Sequence, residues 1–298
     1  MEFLMTFDVE SFSIALNRCD PTMVKKINEI LPDIMDLLAT YDVRATFYFT
    51  GEFVSLDPSS VDFVREHGHE IGCHGYDHTP ERAFDIMSYE EQVRELKRAK
   101  SVIPSRVKSF RAPMLRINEH TPKALENMGF KNDSSVCPQR FDGPLTFGSR
   151  RKLRWLIAPR RPYHPSKSSM TRRGCSKILE VPISAIIFPF IGTTMRVSPL
   201  LCKILERLLY IEAKTFNKPI VFLFHPNECV EATIVESYRR GKNVIEHVFA
   251  DLFRQRLKLK NLGRAALNLL KDVLSNAKDY GFEFLSMDEY RRRFDGSF

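Results

Sequence analysis

The chain has 298 residues, 45 Lys and Arg against 37 Asp and Glu, and a formal net charge of +8. That length is roughly two average domains or one large barrel, and 43% hydrophobic residues with 23 Phe exclude a wholly disordered chain. The longest uncharged apolar run, Val181–Gly192, contains two prolines and falls short of the ~20 residues of a membrane span.

In chain order, short β-rich runs alternate with helical patterns. FLMTFDV, Phe3 to Val9, predicts a buried strand. Thr22–Thr40 predicts a helix, with Met23, Ile27, Ile30, Ile34, Leu37 and Leu38 on one side and Pro32 expected to kink or split it. A strand over Val43–Phe49, a helix over Ser59–His67 and a strand over His69–Cys73 follow. Tyr89–Ile103 predicts a charged amphipathic helix, Val107–Arg111 a strand, Glu119–Met128 a helix and Phe130–Ser134 a strand.

From Arg140 to Lys177, eleven Lys or Arg face one acid, Asp142, for a segment charge of +10. Pro144, Pro159, Pro162 and Pro165 break it further, which predicts an irregular insertion at about 138–177. Strands over Ile178–Ile183 and Ile220–Phe224 flank a helix over Pro199–Lys214. A second basic segment, Arg239–Arg264, carries +6, so the rest of the chain stands at −8. A helix over Ala265–Tyr280 and a strand over Phe282–Leu285 close the series.

Strands and helices alternating about seven times predict one α/β domain over residues 1–298 with a parallel sheet. A barrel and an open doubly wound sheet both fit this pattern. No G-x-G-x-x-G follows the first strand and no Walker loop occurs, so a nucleotide-binding open sheet lacks its signature. Six cysteines without a C-x-x-C pair support neither a zinc ribbon nor a disulfide framework. With no signal peptide visible, a reducing cytoplasm is the expected compartment.

Four of the eight histidines, His67, His69, His74 and His78, lie within twelve residues. His74 and His78 are four apart, so one helical turn could aim both rings at one metal. His67 and His69 are assigned mainly to capping a turn. Asp8 and Glu10 stand two apart at the end of the first strand and therefore share a face. Two carboxylates there repel and call for a cation or a proton. Arg111, Asp133 and His225 also sit at strand ends, where barrel enzymes assemble catalytic residues.

In this order the motifs resemble the polysaccharide deacetylases, carbohydrate esterase family 4, with their NodB-like domain. The matching stretches are T-F-D with a second acid, H-G-Y-D-H at His74–His78, R-A-P at Arg111–Pro113, N-D-S-S at Asn132–Ser135 and L-F-H-P at Leu223–Pro226. The resemblance implies a distorted (β/α)7 barrel, a divalent metal, usually zinc, and removal of acetyl groups from N-acetylated sugars. It makes His74, His78 and Glu10 the metal ligands, Asp8 the base and His225 the general acid. The roles of Asp8 and Glu10 could be exchanged, because the family's usual pair is two adjacent Asp. Arg111 then orients the catalytic Asp, Asp133 tunes His225, and the Met114 amide beside Pro113 serves the oxyanion. Met114-Leu115 replaces the common Tyr-Gly after R-x-P, which alters the expected groove.

Two other readings remain at this stage. An allantoinase-like branch opens cyclic amides or ureides on the same barrel, and a non-catalytic protein could bind anions through the basic segments. Those segments are expected to line one rim of the barrel mouth and select an anionic substrate or surface. Contact with a membrane surface is thereby allowed, and no nucleic-acid-binding pattern accompanies the charge.

Overall fold

Alternation in FLMTFDV sends Phe3, Met5, Phe7 and Val9 to one face and Leu4, Thr6 and Asp8 to the other. The computed structural model, which describes residues 1–103, 106–139, 155–231 and 254–296, builds an all-parallel sheet around this strand (β1, Glu2–Val9). On one side follow β2 (Ala45–Phe49), β3 (Glu70–Cys73), β4 (Ser109–Phe110), β5 (Asn132–Asp133) and β6 (Leu179–Glu180). On the other side β1 pairs with β7 (Ile220–Phe224). A last strand, β8 (Glu283–Phe284), pairs with Glu2 and Phe3 of β1.

The residues after β6 bridge the remaining gap to β7. The Ile183 amide donates to the Val136 carbonyl, and the Ser184 amide donates to that of Val221. The Val221 amide in turn donates to Ser184 Oγ at 3.0 Å. The sheet thus curls into the expected distorted (β/α)7 barrel, and the open-sheet alternative falls away.

The outward face is apolar and packs under helices. Phe7 stacks on Phe47 at 4.3 Å between ring centres, with Phe224 edge-on at 6.0 Å. Helix α1 (Thr22–Thr40) covers this layer with Met23, Ile27, Leu31, Ile34 and Leu38, all buried at helical spacing. It runs through Pro32 as one helix, without the split that the proline could have caused. A proline deletes one N–H and crowds one carbonyl, and the apolar stripe on both sides keeps the helix on the sheet. Helices α2 (Gly51–Leu56), α3 (Ser59–Glu66), α4 (Tyr89–Val102) and α5 (Thr121–Asn127) complete the first half. Ser88 opens α4 with a reciprocal capping box to Glu91. The second half adds α6 (Gly192–Val197), α7 (Pro199–Phe216), α8 (Arg254–Lys258), α9 (Arg264–Asp279) and α10 (Met287–Asp295). No helix among the described residues is long and apolar enough to cross a membrane.

The lumen of the barrel is polar. At its lower end Glu70 accepts from Ser109 Oγ at 2.5 Å, Thr46 Oγ1 at 2.9 Å and the Asp288 amide at 2.8 Å. That last bond ties the first turn of α10 to the strands' N-terminal ends. Higher up, Gly72 leaves room for the Tyr48 ring, because a Cβ there would lie 2.5 Å from it. Gly72→Ala is expected to cost about 1–3 kcal/mol through overpacking and to displace the lumen side chains above it. Thermal unfolding checks this, and an unchanged midpoint would refute the packing argument.

The basic insertion departs from its predicted irregularity and from its predicted place. Pro165–Ser166 and Ser169–Arg173 pair as an antiparallel hairpin. Ser176 Oγ and the Lys177 amide bond Glu126 at the end of α5, and Arg291 of α10 donates to the carbonyls of Lys131 and Lys177. Those partners lie at the strands' N-terminal ends, so residues 163–177 sit opposite the mouth rather than on its rim. Residues 140–154 of this segment, and residues 239–253 of the second basic segment, lie outside the described residues.

Candidate active site

The polar side chains converge at the upper end of the lumen. Arg111 leaves β4, yet its Nη1 reaches Thr6 Oγ1 at 2.9 Å and Asp8 Oδ1 at 2.8 Å on β1. Strands β2 and β3 separate these positions in the sheet, so the guanidinium spans the lumen. Its Nε and Nη2 donate to the carbonyl and hydroxyl of Ser134, each at 2.9 Å, and its plane lies 4.5 Å from the Tyr48 ring centre. Arg111 is wholly buried and Asp8 is 2% exposed, so this charge-assisted bond holds Asp8 in one orientation.

Beside Asp8 stand Glu10, His74 and His78, whose ligand atoms all lie within 4.8 Å of one another. Glu10 Oε2 is 2.7 Å from His78 Nε2 and 3.7 Å from His74 Nε2. The two histidines are not on a helical turn, as their spacing suggested; residues 74–79 form a loop. Buried Glu95 of α4 holds this loop, accepting from the amides of Tyr76 and Asp77 at 3.2 and 3.0 Å and from Arg82 at 2.8 Å. Gly75 allows the turn with φ of +71°, and a Cβ there would come within 3.0 Å of Pro113. Pro113 thus packs the R-A-P turn onto the histidine loop.

Electrostatics follow from this packing. Burial alone would raise the Glu10 carboxyl, but His78, His225 and His74 outweigh it and bring it down to about 2. Burial lowers His74, against the pull of Asp8 and Glu10. Burial also opposes charge on His78, yet Glu10 prevails and pushes it up. His74 Nδ1 lies 2.8 Å from the Arg111 carbonyl, which can only accept. Neutral His74 therefore carries its proton on Nδ1 and turns the Nε2 lone pair toward Glu10 and Asp8, each at 3.7 Å. One carboxylate and two imidazole nitrogens, one tautomer already set by its neighbour, form a donor set suited to a divalent cation such as zinc.

His225 closes the opposite side, with Nε2 4.0 Å from Asp8 Oδ2 and a side chain 23% exposed, so incoming molecules can reach it. Its Nδ1 faces Glu228 Oε1 at 3.3 Å, and Arg196 Nε holds Glu228 Oε2 at 3.0 Å. Gly192 is needed here because any Cβ would strike the Glu228 carboxylate. Burial opposes the charge on His225, but Glu228, Glu10 and Asp8 outweigh it and push the ring up to about 9.

Asp133 stands elsewhere than expected. No contact between Asp133 and His225 is found among the described residues. Instead its carboxylate accepts from Ser135 Oγ at 2.7 Å and the Ser135 amide at 3.1 Å. Its other partner is Glu180, which burial and the Asp133 charge push well above the usual carboxylate range. Burial raises Asp133 as well, and the pair anchors the 134–136 turn, where the Val136 amide donates to Glu180 and Ser134 grips Arg111. Asp133 therefore supports Arg111, while Glu228 and Arg196 take the position beside His225. The sequence carried one sign of this: His-Pro-Asn-Glu puts an acid three residues beyond His225, about one helical turn.

His67 and His69 lie outside this centre, and the capping assignment describes His67 but not His69. His67 Nδ1 meets the Phe63 carbonyl at the end of α3, and His69 Nδ1 accepts from the Ala45 amide. Met114 and Leu115, after Pro113, both adopt left-handed backbone with φ of 56° and 54°. That conformation suits the glycine of Tyr-Gly better than leucine. On the mouth side, Lys258 from the second basic segment lies 6.0 Å from the Phe12 ring centre, itself 6.1 Å from that of His78.

The family model described as polysaccharide deacetylase matches residues 3–132. The peptidoglycan-N-acetylglucosamine deacetylase PgdA of Listeria monocytogenes is 35% identical over 51 residues, 17% of this chain and 11% of that protein. A peptidoglycan deacetylase of Helicobacter pylori is 24% identical over 112 residues, 37% of this chain and 38% of that protein. The chain thus aligns with well under half the length of either relative. Among solved structures, a Mycobacterium smegmatis protein provisionally described as a polysaccharide deacetylase superposes with a TM-score of 0.52 at 17% identity. That alignment covers 95% of this chain and 94% of the other, and supports the fold. The stretch matched by that family model, residues 3–132, carries Asp8, Glu10, both site histidines and Arg111.

Proposed function

We propose that the chain is a metal-dependent N-deacetylase acting on an N-acetylated amino sugar within a glycan or glycoconjugate. The observation that carries this reading is the Glu10, His74 and His78 cluster facing Asp8 and His225 across one small mouth. A divalent cation held by those three ligands would polarise the acetamide carbonyl and acidify a water. Asp8, aimed by Arg111, takes the proton of the attacking water. His225, charged and steered by Glu228, delivers a proton to the departing amine. The Met114 amide is the candidate backbone donor to the oxyanion. The geometry favours Glu10 over Asp8 as the ligand, because Asp8 Oδ1 is already engaged by Arg111. Both relatives' names favour deacetylation over the ring-opening alternative.

The test is metal analysis of the purified chain followed by acetate release across N-acetylglucosamine oligomers, peptidoglycan fragments and nucleotide sugars. His74→Ala is expected to lose bound metal and activity together. Normal metal content in that variant would remove the ligand assignment.

A further inference from the structure

Nine of the thirteen large apolar side chains exposed among the described residues fall in three adjoining segments. The first is α7, where Leu200, Ile204, Leu208, Ile211 and Phe216 are 46–72% exposed. Between them the exposed face carries Lys203, Arg207 and Lys214 and no acid. Of the two acids on this helix, Glu206 is buried and Glu212 is paired with Arg160 and Lys218.

The second segment is the hairpin of Ala185–Ile186 and Phe188–Pro189, which packs beside α7. Its tip, Ile187, is 58% exposed and has φ of 61°. A β-branched residue in left-handed backbone is strained, and Gly or Asn is the usual solution in a tight turn. An exposed isoleucine there breaks both the burial and the backbone preference. The third segment holds Leu156 and Ile157, 42% and 83% exposed. Arg160 joins it to Glu212 and the Ala185 carbonyl, and Arg161 lies over the Phe216 ring.

We propose that this face docks the protein on an anionic lipid surface. Apolar residues interleaved with cations match an interface whose acyl boundary takes the first and whose headgroups take the second. A two-fold contact with a second copy would set Lys203, Arg207 and Lys214 against the same cations, with no acid on the face to offset them. Charge therefore selects an anionic occupant. The face also begins next to the site, since α7 follows directly on α6, which carries Arg196.

The experiment is co-sedimentation of the full chain with vesicles of phosphatidylglycerol and phosphatidylcholine, and with phosphatidylcholine alone; it needs no catalysis. Binding is expected only to the anionic vesicles. It should weaken about tenfold or more in Ile204→Glu/Ile211→Glu and in Lys203→Glu/Arg207→Glu. These positions are exposed, so unfolding midpoints should match the parent; Lys203→Gln/Arg207→Gln replaces any variant that does not. The proposal is overturned if the parent fails to pellet with anionic vesicles, or if the variants pellet equally well. It is also overturned if light scattering shows a dimer that Ile204→Glu/Ile211→Glu dissolves, which would give the face to a second copy.

Discussion

Replacing His225 by alanine is expected to lower acetate release by about 10²–10⁴-fold while leaving bound metal unchanged. The expectation rests on position. His225 Nε2 stands 4.0 Å from Asp8, and it lies outside the Glu10, His74 and His78 cluster. Glu228, itself held by Arg196, fixes its Nδ1 side, and the side chain keeps 23% exposure through which a leaving amine could reach it. Glu228→Gln should fall between the parent and His225→Ala, because the ring keeps a hydrogen-bond partner but loses a charge. The measurements are kcat on a responsive N-acetylated saccharide and metal content of each variant. Unaltered kcat in His225→Ala would end its role as acid, and lost metal would make it a ligand instead.

Arg111→Met is expected to damage both stability and turnover. The substitution leaves Asp8 buried without its cation and strips donors from Thr6 and Ser134. Breaking one half of a buried pair typically costs about 3–5 kcal/mol. Thermal unfolding should register this as a large drop in Tm. In Arg111→Met/Asp8→Asn the uncompensated charge is gone, so Tm should recover in part while activity stays absent. A double variant no more stable than Arg111→Met would show that packing, not charge, sets the loss.

Much of the barrel was legible in the sequence. The strand over Ile220–Phe224 matches its predicted bounds, and the helix over Thr22–Thr40 does so despite Pro32. Periods of two and 3.6 are local properties, and they survive whatever the rest of the chain does. Strands predicted over Val107–Arg111 and Phe130–Ser134 shorten to two residues each, because the barrel wall is irregular where those chains bend toward the site. The hairpin of Phe12–Ser13 and Arg18–Cys19 carried no comparable period and went unpredicted.

The site shows the same division. Asp8, Glu10, His74, His78, Arg111 and His225 could be found from strand ends and short spacings, since each motif is a few residues long. Their partners could not. Glu95 reaches the histidine loop from α4, Glu180 meets Asp133 from the neighbouring strand, and Arg196 meets Glu228 from α6.

The charge excess was fully visible in composition, but its placement was not. Residues 163–177 lie at the lower end of the barrel, and Lys258 lies near the mouth. Helix α7 was predicted from its pattern, yet only packing shows that an apolar stripe remains outside. Local residue order determines which segments form strands and helices and which side chains are chemically able. Tertiary structure decides which meet, because parallel pairing and crossovers join residues tens to hundreds apart, and no local period encodes that.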